Sequence, residues 1–110
     1  MNNNWQNSLS RTQKVRNRWR QFDALRLGMD WTEEDLTKFQ IFIDDVYGDS
    51  HPGSVHLDEL SQSAGMGVME SGGKAAHFHV TDLCDGWAQG HSGMNYILAS
   101  REVIADMVEL

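Results

Sequence analysis

Two short apolar runs with one amphipathic stretch between them limit what this chain can fold into more than any other feature. Residues 39–43 read Phe-Gln-Ile-Phe-Ile, aromatic and β-branched with almost no polar break, which predicts a buried strand. Residues 75–81 predict a second strand. Between them, residues 55–70 place Leu57, Leu60, Ala64 and Val68 on one helical face, and the Ser71-Gly-Gly that follows predicts a glycine stop. Strand, loop, helix, strand is an α/β order, for which a parallel sheet with a right-handed crossover is the default.

The flanking segments read as helices and loops. Residues 1–10 are polar and Asn-rich, which predicts a disordered tail ahead of one domain over 11–110. Residues 11–27 carry Val15, Trp19, Phe22 and Leu25 at helical spacing, so one helix is expected, stopped by Gly28. Thr32 and Asp35 have the spacing of a capping box, and Trp31 and Leu36 that of a hydrophobic staple. The loop over 44–54 precedes the third helix, whose positive end Ser54 or Asp58 can serve. The last helix is expected to begin at a Ser100 cap and to present Val103, Ile104, Met107 and Val108. Its final turn has Glu109 at the negative end and nothing later in the chain to cover its apolar side chains. A sheet of two strands is too small to stand without further packing. The expected fold is therefore α/β: the N-terminal part of a larger α/β/α domain, with helices packed on a small parallel sheet, completed by more chain or by a partner.

Bulk properties exclude several functions. With nine basic against 16 acidic residues, the net charge of −7 argues against a nucleic-acid partner. Five basic residues (Arg11, Lys14, Arg16, Arg18, Arg20) cluster within ten positions and read as a solvated helix face. No apolar run approaches a membrane span, and the first residues are not a signal peptide, so no membrane contact and a cytoplasmic location are expected. Cys84 is the single cysteine, so neither an intrachain disulfide nor a cluster held by this chain alone is possible.

Chemistry-bearing residues gather after the second strand. Asp82 and Asp85 flank Cys84 at a strand end, where α/β proteins place their sites. Carboxylates there suit a hard cation such as magnesium, or are simply turn formers before Gly86. Gly86, Gly90 and Gly93 could cradle an anion or form a tight loop. The Gly90-His-Ser-Gly93 segment lacks the spacing of a nucleophile elbow. His77 and His79 alternate on one strand face and could bind a metal, though packing or solvent exposure is favoured; His51 and His56 flank the Pro52-Gly53 turn. Arg101 could pair with a substrate carboxylate or with a neighbouring acid.

At these residues the chain resembles the dihydroxy-acid dehydratase/6-phosphogluconate dehydratase family, which includes sugar-acid dehydratases. Three blocks carry the resemblance: His51-Pro-Gly-Ser-Val-His-Leu57; Gly67-Val-Met-Glu-Ser-Gly-Gly73; and Asp85-Gly-Trp-Ala-Gln-Gly-His-Ser-Gly-Met94 followed by Tyr96-Ile-Leu-Ala-Ser-Arg-Glu-Val-Ile-Ala-Asp106. The resemblance implies a hydro-lyase that removes water from 2,3-dihydroxy carboxylates to give 2-keto acids, using Mg2+ and an iron–sulfur cluster. It implies Asp85 as a magnesium ligand and a homodimer or larger assembly of the complete enzyme. The sequence departs from the family in two ways. Gly53 stands where some members have a cluster cysteine, and no cysteine–lysine motif, catalytic serine or second cluster ligand is present. The resemblance thus implies an N-terminal fragment that contributes one metal ligand, carries no catalytic residue and is inactive alone. Two other classes remain open at this point. One is an interaction module that docks on a full-length or second-half partner through its last helix. The other is a small metal-binding protein using Asp85, His77, His79 and His91.

Overall fold

The structure is a computed structural model that describes residues 11–110; the tail expected over 1–10 lies outside them. In order, the elements are α1 (Arg11–Arg18), α2 (Gln21–Leu27), α3 (Glu33–Thr37), β1 (Gln40–Asp45), α4 (Leu57–Glu70), β2 (Lys74–His79), α5 (Asp85–Ala88), a 3-10 turn (Ser92–Tyr96) and α6 (Ile97–Glu109). β1 and β2 pair in parallel, Gln40 opposite Lys74 through Asp45 opposite His79, and α4 makes the crossover. The α/β order therefore holds. Because the strands are parallel, the segments that follow them leave from the same end of the sheet, and this end carries the acidic and histidine side chains.

The N-terminal helices are tied to the sheet by cations. One helix was expected over 11–27, but the chain bends after Arg18 into two. The reason is Arg16, which donates to Asp23 at 2.6 Å, to Gln13 and to the Leu36 carbonyl. On a straight helix, residues seven apart lie about 10 Å apart along the axis, so the bend is what brings Asp23 to Arg16. Helix α2 ends at Leu27 with Gly28 as its cap, as expected. The capping box also forms: Thr32 Oγ1 accepts from the Asp35 N–H, and Asp35 accepts from the Thr32 N–H. Arg26 and Lys74 both lie over the Trp31 ring, at 4.7 and 4.8 Å from its centroid, and Lys74 pairs with Asp35 at 3.3 Å.

Helix α4 faces the sheet with a different stripe from the one its apolar residues suggest. Ser61 and Gly65 are buried, whereas Leu60 and Ala64 are exposed. Small residues let the helix approach closely. A Cβ on Gly65 would lie 2.8 Å from the His77 ring and 3.5 Å from Ala75. Leu60 and Ala64 instead line an open groove with Leu57, Ile43, Ile104 and Val108. The helix begins at Leu57 after a run of turns, and no side chain caps it; Asp58 accepts from its neighbour Glu59 instead. It ends as expected, with Gly72 at φ +87°.

Two further expectations are corrected. The strand over 39–43 was expected to be buried, but Ile41 is 44% and Phe42 48% exposed. The cover over it is partial: Phe42 meets the Phe78 ring, 4.9 Å between ring centres, and lines an open cleft with Met107, Val108 and Leu110, while Ile41 lines an open groove with Ala64 and Val68 of α4. The last helix begins at Ile97, so Ser100 is inside it and does not cap it. The 3-10 turn that leads into α6 is capped by His91, whose Nδ1 accepts from the Gly93 N–H at 2.9 Å. Among the described residues the buried apolar positions are Leu36, Ala76, Ala88 and Ile97, so the interior is small and much apolar surface faces outward.

Candidate metal and substrate site

The loops beyond the strand tips are held together by hydrogen bonds that begin at Asp82. Its Oδ2 accepts from the Ser50 N–H at 3.0 Å and its Oδ1 from the Ser54 hydroxyl at 2.9 Å. Ser54 has no exposed surface. The His51 ring completes the set: Nδ1 accepts from the Gly53 N–H at 3.0 Å, so in the neutral ring Nε2 carries the proton and donates to Ser54 Oγ, also at 3.0 Å. The order is His to Ser to Asp, with the hydroxyl proton directed at the carboxylate. That wiring makes Ser54 a structural link rather than a nucleophile. Ser50, whose N–H donates to it, and then the Ser54 hydroxyl hold the Asp82 carboxyl below the usual carboxylate range against the opposing effect of desolvation. Gly48 makes the approach possible, since a Cβ there would fall 2.5 Å from Asp82 Oδ2. The Trp87 indole N–H donates to the Ser50 carbonyl and closes the loop from α5.

Asp45, at the tip of β1, is saturated in the same way. It accepts from the Ser61 hydroxyl at 2.5 Å, the Tyr47 N–H at 3.0 Å and His79 Nδ1 at 2.8 Å. Burial pushes its pKa up, but the Ser61, His79 and Tyr47 hydrogen bonds outweigh burial and take it down to about 2.

Asp85 differs from both. It stands at the first position of the short helix α5, not on an open loop as the glycine pattern suggested, and its side chain is 37% exposed. Its Oδ1 accepts from Arg101 Nη2 at 2.6 Å, an ion pair reaching across from α6. Its Oδ2 accepts no hydrogen bond from the described residues. Arg101 therefore meets an acid of this chain, and its Nε and Nη1 have no such partner.

The remaining candidates do not converge on Asp85. His77 packs over Gly65, His79 is tied to Asp45, and His91 is fixed at both ring nitrogens, since Nε2 contacts the Trp87 carbonyl at 2.6 Å. His56 caps α4 with its backbone alone. The Gly93 amide, a candidate for the anion cradle, is taken by His91. Among the described residues, no three His, Cys, Asp or Glu side chains gather in a way that could hold a metal ion. The donor set fits an oxygen-seeking cation only as one hard, half-open ligand at Asp85. It does not fit an iron–sulfur cluster, because Cys84 is the only thiol in the sequence. The pairing of Arg101 with Asp85 was missed in the sequence. The two are 16 residues apart, and only the turn at 92–96 folds α6 back towards α5.

Comparison with known proteins gives these residues a context. The sequence profile of the dihydroxy-acid/6-phosphogluconate dehydratase N-terminal family matches residues 38–110. The chain is similar to the dihydroxy-acid dehydratase of Halothermothrix orenii, 47% identical over 83 residues, covering 76% of this chain and 15% of that protein. It is similar to that of Methanococcus maripaludis, 44% identical over 86 residues, covering 78% of this chain and 16% of that protein. The Methanothermobacter thermautotrophicus dihydroxy-acid dehydratase is 46% identical over 78 residues, covering 71% and 14%. The chain thus spans about one seventh of the length of the curated relatives it matches. No helix among the described residues is long and apolar enough to cross a membrane.

Proposed function

We propose, from the fact that this chain belongs to the dihydroxy-acid/6-phosphogluconate dehydratase family, that it forms one wall of a site that removes water from a 2,3-dihydroxy carboxylate to give a 2-keto acid. Asp85 is its contribution to that site. The observation that carries the reading is the contrast among three acids at one end of the sheet: Asp45 and Asp82 have both carboxylate oxygens engaged, and Asp85 keeps Oδ2 open. A magnesium ion held there would act as a Lewis acid towards an oxygen of the substrate. The residues of this chain do the rest by positioning. Asp82 and Ser54 fix the loop after β1 against the segment after β2, and Trp87 pins α5 to that loop. Arg101 fixes the rotamer of Asp85.

The iron–sulfur cluster that the resemblance implies has no ligand set here, so the reading assigns it to residues beyond these 110. The isolated chain, assayed anaerobically with a panel of 2,3-dihydroxy carboxylates, is expected to form no 2-keto acid and to show no iron–sulfur absorbance after reconstitution. Turnover by these residues alone would contradict the division of labour.

A second reading is supported by the outward face of α6, where Val103, Met107 and Val108 are all exposed. In it the chain docks through that face on a longer dehydratase polypeptide. A concentration-independent, cooperatively unfolding monomer would count against it.

A further inference from the structure

Strand β1 has a neighbour on one side only. The Phe39 carbonyl accepts from the Lys74 N–H, and the Asp45 carbonyl from the Val80 N–H, so the odd residues of β1 turn their backbone groups to β2. Gln40, Phe42 and Asp44 turn theirs to the outer edge, where no described residue bonds to them. Neither a proline nor, from Phe39 to Ile43, any charge guards this edge against pairing. We propose that it pairs antiparallel with β1 of a second copy of this chain, about a two-fold axis at Phe42. The proposal does not depend on the role of Asp85.

Backbone phase and side-chain chemistry select the register together. Only the even residues can bond across the edge. With Phe42 opposite Phe42, Gln40 lies opposite Asp44 in both directions, and every outward N–H and C=O of these residues finds a partner. The same residues share one face of the sheet, so their side chains also meet across the pair. In the single chain, Gln40 Nε2 and Oε1 and Asp44 Oδ1 are buried without a hydrogen-bond partner. A change of rotamer lets the Gln40 amide of one copy donate to the Asp44 carboxylate of the other, and symmetry repeats the bond. Sliding to the next permitted register sets Phe42 against Gln40 or Asp44 and loses the match. The outer edge of β2 offers none: it would set Ala75 against His79, and no orphaned polar atom lies on that strand.

Helix α4 fits the same axis. It lies over both strands, so its two copies stand two strand spacings apart, about 10 Å. Helices pack at that distance. Leu60 and Ala64, exposed beside an open groove of about 480 Å3 that Ile43 and Asp44 also line, then face the second copy. The pairing takes the sheet from two strands to four, past the size at which a sheet needs other support.

The test uses the whole 110-residue chain. Sedimentation equilibrium should show a monomer–dimer equilibrium. In a mixture of isotope-labelled and unlabelled chains, filtered NOEs should join Ile41 Hα of one copy to Ile43 Hα of the other, a pair whose Cα atoms approach to about 4.5 Å in this register. Gln40→Lys should tighten the dimer at least about threefold, and Gln40→Glu should weaken it by as much, because this position opposes Asp44. Gln40→Lys combined with Asp44→Lys should lose the dimer again. That double change lowers the net negative charge further, so its effect separates pairing at this edge from relief of general repulsion. Phe42→Pro removes an outward N–H, leaves the ladder to β2 intact and should give a monomer. Where Phe42→Pro does not fold, the Gln40 series decides. A chain that stays monomeric up to about 1 mM would overturn the proposal. So would a dimer whose NOEs run through Val103 and Met107 of α6, or one indifferent to the charge placed at position 40.

Discussion

Asp82 and Asp85 belong to the same short segment after β2, and the sequence treats them alike: two acids flanking Cys84, just before a glycine. Their surroundings set them apart. Asp82 is 12% exposed at its side chain and accepts from the backbone of one loop and a buried hydroxyl of the same loop. Asp85 is 37% exposed and has one partner, on a flexible arginine. Position in sequence does not separate a structural carboxylate from one available to a ligand. The number of donors already directed at each oxygen does. A carboxylate ringed by N–H and O–H groups holds loops together, and one with a bare oxygen can take a cation.

The largest expected effect falls on the structural member. Asp82→Ala leaves the buried Ser54 hydroxyl and the Ser50 N–H without their acceptor, and should destabilise the chain by about 2–3 kcal/mol. Urea unfolding checks this, and a loss no larger than that of Asp85→Ala would dissolve the distinction. Next comes Gly48→Ala, whose methyl must displace the Asp82 carboxylate. A cost of about 1–3 kcal/mol is expected, and it should largely vanish in the Asp82→Ala background, since the two changes strike the same contact.

Acid should act on the same side of the comparison. Asp82 and Asp45 have folded-state pKa values below the ordinary carboxylate value, Asp45 at about 2. Their contribution is therefore complete above about pH 4 and is lost as pH falls through the folded-state values. Thermal melting temperature should drop steeply between about pH 4 and pH 2, and Asp45→Asn should flatten that slope. A slope unchanged in both Asp45→Asn and Asp82→Asn would place the acid sensitivity elsewhere. The smallest effect belongs to the open member: Asp85→Asn removes a half-exposed ion pair and should change stability by less than about 1 kcal/mol.

Much of the fold was legible because local chemistry decided it. The Thr32–Asp35 box, the glycine stop at Gly72 and the strand-helix-strand order each depend on neighbours in sequence, and each appears. What was misread depended on distant contacts. The face of α4 is set by how closely Gly65 lets it approach His77, which a count of apolar side chains cannot see. The bend after Arg18 goes with Arg16 pairing with Asp23 and reaching the Leu36 carbonyl, outside its own helix pair. The burial expected of Ile41 and Phe42 assumed complete cover, and both stay nearly half exposed. Asp85 itself could be singled out from its Asp-Gly context and the family resemblance. Its open oxygen, and the arginine that holds the other one, became visible only in three dimensions.

The most direct test of this account is a Mn2+ titration of the wild-type chain and of Asp85→Asn, followed amide by amide. Selective broadening centred on residues 84–86 and on Arg101 is expected, together with its disappearance in Asp85→Asn while the rest of the spectrum is preserved. Broadening centred instead on Asp45 and His79, or unchanged when Asp85 is replaced, would contradict the claim that the free oxygen of Asp85 is where this chain meets a cation.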